Sequence, residues 1–297
     1  MILILGHPKD ETCKGVMEAA LQKGMSVVWW NPLLPARFEI PDHSFTGILN
    51  RLGILSWDGE RSVKKEDRGY VHQEWSAALL SFLKGHSRCI NLPHAPYFNG
   101  PHLPFAKQFA WAKDCGLPIL RYRFTADPKE AKAFAAEMRG KIVIRQDPDD
   151  YRDFSCAPSG KAIFKAIQKQ MHYLVEWPEG IPYFYQRVEN EGFFSKGYGA
   201  DAQKAKLPVA LKEPLKALAK KVGARFSECL LFKVKNGSWA FGYISSFPEL
   251  SRYRVHEKAI HQSLLHLLAK NEAKRKTPHL ESFIPKSLRP ELRASTI

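Results

Sequence analysis

Residues 103–146 read LPFAKQFAWAKDCGLPILRYRFTADPKEAKAFAAEMRGKIVIRQ. Phe105 to Cys115 has helical composition and stops at Gly116, and the run Pro118 to Phe124 that follows is apolar and β-rich. Asp127, Pro128 and Glu130 then supply an N-cap, a first-turn proline and a third-position carboxylate, ahead of apolar Ala131, Phe134, Ala135 and Met138. Gly140 ends that helix, and Lys141 to Gln146 reads as a strand. Helices alternating with strands at short spacing imply an α/β architecture.

On the N-terminal side, Asn91 to Pro104 holds four prolines and two histidines, a composition that interrupts helices and strands and marks a lobe boundary. Before it, Met1 to Leu5 reads as a buried strand, Asp10 to Gly24 as a helix and Met25 to Trp30 as a second strand. Residues 31–68 show no sustained period. Helical spacing returns over Tyr70 to Leu83 through Trp75, Leu79, Leu80 and Leu83, and Cys89 to Leu92 reads as a strand.

On the C-terminal side, Asp147 to Ser159 is polar and acidic, hence a loop, and Gly160 to Leu174 has helical spacing through Ile163, Phe164, Ile167 and Met171. Ile181 to Val188 is an aromatic strand, and Leu207 to Val222 a basic amphipathic helix. Asn236 and Gly237 lie between two β-rich runs, and both tolerate the positive φ that a tight hairpin turn needs. His256 to Leu268 closes the body as a helix, and a basic, proline-containing tail follows from Lys270. The boundaries expected are 1–100 for an N-terminal α/β domain, 101–268 for a second body and 269–297 for the tail.

The length of 297 residues fits about two domains at roughly 150 residues each, and the formal charge is +15. A positive field of this size attracts nucleotides, acidic peptides, nucleic acid or anionic lipid. The hydrophobic fraction of 44% and the aromatic fraction of 12% exclude a disordered or low-complexity chain. The first residues lack a secretion signal, and no apolar run approaches the roughly 20 residues that cross a bilayer. The five cysteines are odd in number and widely spaced, which fits free thiols in a reducing cytoplasm. A soluble cytoplasmic protein without a membrane partner is expected.

Several chemistries fail on residue type. GxGxxG is absent, and Ser155 and Ala162 stand where a P-loop ending at Ser159, Gly160 and Lys161 needs glycine and Ser/Thr. A looser glycine–lysine phosphate loop there remains open beside an ordinary helix start. His256, His261 and His266 are spaced by five, which turns each about 140° round a helix and prevents a shared zinc shell. His94 and His102 lie in the proline-rich boundary, where a solvated loop histidine competes with a titrating one. No GxSxG elbow is present, and Cys156 has no feature to stabilise its thiolate.

The order of elements resembles the ATP-grasp fold. In that family a Lys/Gln-rich helix leads to GLP, a strand, a T-x-D-P helix start and a strand ending in a nucleotide-binding lysine, which residues 103–146 follow. IPYFYQRVEN, residues 181–190, is similar to the hinge strand that reads adenine, and GARFSECLLFKVKNGSWAFGYISSFPEL, residues 223–250, to the closing hairpin that carries metal ligands. MILILG, YVHQEWSAALLSFL and INLP are similar to the preceding domain of short peptide-modifying ligases, of the ribosomal-protein glutamate ligase and graspetide macrocyclase kinds. The likeness covers most of residues 1–268.

This resemblance implies an N-terminal open α/β domain followed by two α+β lobes that enclose a nucleotide cleft. It implies ATP as cofactor, a peptide or amino acid as substrate, acidic if charge matching operates, and an acyl phosphate attacked by an amine or hydroxyl. Arg145 takes the place of the phosphate-contacting lysine, keeping the charge and gaining a fork. Gln186, Arg187 and Val188 fall on the hinge, with Arg187 where an acid is usual and with backbone groups left to read the base. Magnesium is the implied metal, but the family's Glu-x-Asn falls on Tyr243 and Ser245 and its hairpin Asp near Leu230, with Glu228 or Glu249 the nearest acids. The stretch from Val188 to Leu207 is too short for the strands that carry substrate-facing arginines. Three readings stay open: a carboxylate–amine or carboxylate–hydroxyl ligase, a degenerate relative that binds nucleotide, peptide or a partner protein, and a polyanion binder. The last, which would include nucleic acid, is weakened because its basic helix and tail lack interleaved aromatics.

Overall fold

The structure is a computed structural model that describes residues 1–31, 44–53, 63–94, 98–101, 103–139, 141–145, 172–176, 180–197, 199–248, 250 and 254–269. The first layer is a parallel sheet of β1 (Ile2–Leu5), β2 (Val27–Trp30), β3 (Gly47–Asn50) and β4 (Cys89–Ile90), in the order β2-β1-β3-β4. Its opening strand is apolar at every position because both faces are covered. Ile2 and Ile4 pack with α1 (Glu11–Gln22), while Leu3 and Leu5 pack with α2 (Arg68–Gly85) through Trp75 and Leu79. Asp10 caps α1, accepting from the Cys13 N–H at 2.9 Å. The expected strand Cys89 to Leu92 ends at Ile90, since Asn91 turns the chain at φ 58°.

The second body begins with α3 (Phe105–Asp114) and a three-stranded antiparallel sheet, β5 (Tyr122–Thr125), β6 (Ile142–Arg145) and β7 (His172–Glu176), in the order β5-β7-β6. Between β5 and β6 runs α4 (Pro128–Glu137), where Asp127 accepts from the Lys129 N–H at 2.8 Å. Two expectations shift here. The helix read over Gly160 to Leu174 does not reach its end as helix, because His172, Tyr173 and Leu174 are strand. Extended backbone sends Tyr173 against Phe105 of α3 and Leu174 into the cluster beneath α4, opposite directions that a half-buried strand supplies. Residues 151–171, with the rest of that helix and most of the acidic loop, lie outside the described residues. The strand expected from Pro118 starts only at Tyr122, because the Pro118 carbonyl accepts from the Phe241 N–H at 2.7 Å and Ile119 bridges Phe241.

Five antiparallel strands form the largest sheet: β8 (Gly180–Val188), β9 (Glu191–Lys196), β10 (Gln203–Lys204), β11 (Phe226–Val234) and β12 (Trp239–Ser245), in the order β10-β9-β8-β11-β12. The Asn-Gly turn forms as expected, with Gly237 at φ 82° and Asn236 Oδ1 accepting from the Ser238 N–H at 3.0 Å. The stretch after Val188 is long enough for β9 and β10 after all, because Glu189 takes φ 52° and turns the chain within two residues. Next comes α5 (Val209–Val222), which buries Leu211, Leu215 and Leu218 and stops at Gly223 with φ 77°. The last described helix, α6 (Glu257–Ala269), was grouped by sequence with the second body, yet its side chains pack on α1 and β3 of the first layer. Gly15 and Gly47 permit this, since a Cβ at either would overlap the His261 ring or the Leu268 backbone. The expected tail lies outside the described residues, as does Glu249.

Candidate nucleotide cleft

Strand register puts Phe124, Tyr173 and Arg145 in one row across β5, β7 and β6. Leu174 and Ile142 face α4 on the other side of that sheet, so this row belongs to the face turned toward α3 and the five-stranded sheet. Tyr122, two residues from Phe124, shares it and meets Phe109 of α3 at 4.9 Å between ring centroids. At the far end Phe124 is 45% exposed and stacks on Tyr173 with centroids 4.3 Å apart. Burial pushes the Tyr173 phenol above its ordinary pKa, so it stays a neutral aromatic surface. An exposed phenylalanine stacked on a half-buried tyrosine offers a flat apolar surface that can take a base or sugar face.

The hinge candidates are placed elsewhere. Gln186 sits in β8, opposite Glu228 of β11 and Phe193 of β9, at 0% exposure, and neither atom of its amide has a hydrogen-bond partner among the described residues. Arg187 donates to the Ala224 carbonyl at 3.4 Å, and Val188 is buried in the core shared with β1, α1 and α6. Because β8 is paired on both sides, the backbone groups of Arg187 and Val188 are engaged in ladders. Arg145 and Gln186 therefore stand in different sheets, Arg145 on β6 and Gln186 on β8.

The positions where the resemblance implies metal ligands are now concrete. Leu230 lies opposite Tyr243, and Glu228 opposite Ser245. The Tyr243 hydroxyl donates to Glu228 Oε1 at 2.8 Å, and both residues are 2% exposed. An alkyl group, a phenol, a hydroxyl and one carboxylate already bonded to that phenol do not make the oxygen shell that magnesium requires. Among the described residues no cluster of three or more His, Cys, Asp or Glu is arranged to hold a metal. Among the described residues, those at these positions do not fit the implied ion. The histidines are accounted for separately: His256 Nε2 lies 3.0 Å from the Phe194 carbonyl, and His261 packs on Gly15. Burial pushes the thiols of Cys13, Cys89 and Cys229 up, that of Cys89 to about 12, which removes them as nucleophiles.

Two buried amides escaped the sequence reading and hold the cleft together. Gln108 of α3 donates to the Leu103 carbonyl at 2.7 Å and accepts from the Ile244 N–H at 2.9 Å, which fastens α3 to the edge strand β12. Asn91 joins the end of β4 to the start of β11 and to Ser246. Their only sequence signal is an amide in an otherwise apolar run, which does not name a partner.

No known family profile and no curated protein matches the chain. Solved structures do. A RiPP-associated ATP-grasp ligase from Chryseobacterium gregarium, in complex with ADP and a leader and core peptide, superposes at TM-score 0.70 with 13% identity over 93% of this chain and 98% of that one. The macrocyclase MdnC from Microcystis aeruginosa MRC, bound with precursor peptide MdnA, gives TM-score 0.67 and 14% identity over 91% and 99% of the two chains. A RimK domain protein ATP-grasp from Sphaerobacter thermophilus gives 0.58 and 12% over 90% and 97%. Matched over nine-tenths of its length by these structures, this chain has the ATP-grasp fold and resembles the peptide-modifying ligases built on it.

Proposed function

We propose that this protein binds ATP in the cleft between its three-stranded and five-stranded sheets and acts on, or presents, a peptide beside it. The observation that carries the reading is the register that aligns Phe124, Tyr173 and Arg145 across β5, β7 and β6, with Phe124 stacked on Tyr173. In this reading Tyr173 and Phe124 offer a flat apolar surface and Arg145 supplies charge to the phosphates. Base recognition by the backbone of Arg187 and Val188 would require breaking ladder bonds of a central strand. The peptide is proposed because structures of similar fold carry one together with ADP or an ATP analogue.

Two chemistries follow. The better supported one is a nucleotide- and peptide-binding protein, since the hairpin lacks the acids that would hold magnesium. The second is an ATP-dependent carboxylate ligase working through an acyl phosphate, favoured by the Glu228 carboxylate that lies beside Tyr243 and Ser245 in the hairpin. Calorimetric titration with ATP, followed by assay of ADP released on adding acidic peptides, separates them. Nucleotide affinity without turnover supports the binding protein, turnover supports the ligase, and absence of affinity removes both.

A further inference from the structure

Residues 204–221 hold six lysines against one acid, Glu213. On α5 the buried positions Leu211, Leu215, Leu218 and Val222 fix the side that faces the core, and Lys212, Lys216 and Lys220 follow one another at intervals of four on the exposed side. Each interval advances about 6 Å along the axis and about 40° around it, so the three positions form a ridge about 12 Å long that winds toward the side carrying Lys221. Lysines four apart on a helix repel one another, and among the described residues only Lys216 of the three has an acid beside it, Glu213 at 3.9 Å. The ridge runs out at Trp111 of α3, the helix packed beside α5. Lys221 Nζ lies 5.5 Å and Lys107 Nζ 4.9 Å from the Trp111 ring centroid, and Lys221 also meets Asp114 at 2.6 Å. Trp111 is half-buried, so part of it reaches solvent. The aromatic that the basic helix lacks in sequence is thus supplied by its neighbour in the fold.

Side-chain chemistry decides the class of partner. An anionic membrane is held by apolar side chains inserted beside the basic ones, and the leucines of α5 are turned into the core, which leaves Val209 as its one large exposed apolar residue. Carboxylates of a protein partner are gripped best by arginine forks, whereas this ridge is lysine throughout. A nucleic-acid duplex meets the lysines but keeps its base faces from the indole. A single strand matches both parts, since it carries one negative charge per nucleotide beside unstacked bases. We propose that the exposed ridge of α5, with Trp111 at its end, docks single-stranded nucleic acid, its phosphates on Lys212, Lys216 and Lys220 and a base on the indole. This face is built from α5 and α3 alone and does not depend on nucleotide binding in the cleft.

The test is fluorescence anisotropy of the full chain with a labelled oligouridylate of about 12 nucleotides, over a series of salt concentrations. Combining Lys212→Gln, Lys216→Gln and Lys220→Gln weakens binding about tenfold or more and lowers the slope of log affinity against log salt by about two, because three phosphate contacts are lost. Trp111→Leu weakens binding about tenfold and leaves that slope unchanged, since it removes stacking and no charge. The lysines are exposed, so their triple variant keeps the test open where Trp111→Leu fails to fold. A control combining Lys23→Gln, Lys64→Gln and Lys84→Gln, exposed positions of the first layer, removes the same charge and changes affinity less than about twofold. An equal loss in that control, an unchanged slope in the α5 triple, or tighter binding of a duplex, a Glu-rich peptide or phosphatidylserine vesicles through the same three lysines would overturn the assignment.

Discussion

Asn91 donates from Nδ2 to the Phe226 carbonyl at 2.7 Å and accepts at Oδ1 from the Phe226 N–H at 2.9 Å, clasping a peptide unit 135 residues away. The same amide donates to the Ser246 carbonyl at 2.6 Å and accepts from the Arg225 N–H at 3.0 Å. One side chain thus closes the first layer onto both hairpin strands, in a left-handed backbone conformation that asparagine tolerates. Asn91→Ala leaves these backbone groups buried without partners, at about 1–3 kcal/mol each before relaxation. The expected loss is about 3 kcal/mol or more, read as a lower urea midpoint with an unchanged slope.

A second junction is ionic. Arg51 donates from Nε and Nη2 to Asp10 Oδ2 at 3.1 and 3.0 Å, and its guanidinium lies 3.7 Å from the Phe247 ring centroid. Burial works to raise the Asp10 pKa, but the Arg51 charge and the Cys13 N–H outweigh it and hold the carboxyl below its ordinary 3.8. A depressed carboxyl stabilises the fold above pH 3.8 and loses that contribution as pH falls through its lower folded value. Asp10→Asn should cost about 3 kcal/mol at pH 7 by leaving a buried guanidinium unbalanced, and thermal melts should converge with the parent in acid.

Helix α6 docks through the contact of His261 with Gly15. Gly15→Ala drives a methyl into the imidazole and should cost about 1–3 kcal/mol, while His261→Ala in the same chain should restore part of the loss. Burial lowers the His261 pKa below 6.5, so the folded state favours the neutral ring. Its contribution is present above pH 6.5 and declines below, and melts of His261→Ala should lack that decline.

Tyr243→Phe removes the donor to Glu228 without changing ring volume. A carboxylate 2% exposed then loses its phenol, and a destabilisation of about 1–3 kcal/mol is expected in chemical denaturation. ATP affinity should stay unchanged, because this pair lies among the strands of the hairpin and outside the row of Arg145.

Local chemistry was the legible part of this fold. Asp127 and Pro128 announced α4, and Asn236 and Gly237 announced the hairpin, because caps and tight turns are set by a few adjacent residues. β7 was hidden because His172 to Leu174 continues an apolar run that also fits helical spacing, and only its neighbours in β5 and β6 make it extended. β9 was hidden by a turn that rests on Glu189 at positive φ, which its residue type does not advertise. In the site, the charge at Arg145 and the missing acids at Leu230, Tyr243 and Ser245 were readable from residue type. The partners of Asn91 were not, since Phe226 and Ser246 lie 135 and 155 residues along the chain.

ATP titrated into the protein by calorimetry, once with magnesium and once with chelator, tests the account most directly. The cleft should bind ATP comparably in both, and Arg145→Ala should weaken it about tenfold by removing a charge-assisted contact to phosphate. Affinity that appears only with magnesium, or that is unchanged in Arg145→Ala, would contradict it.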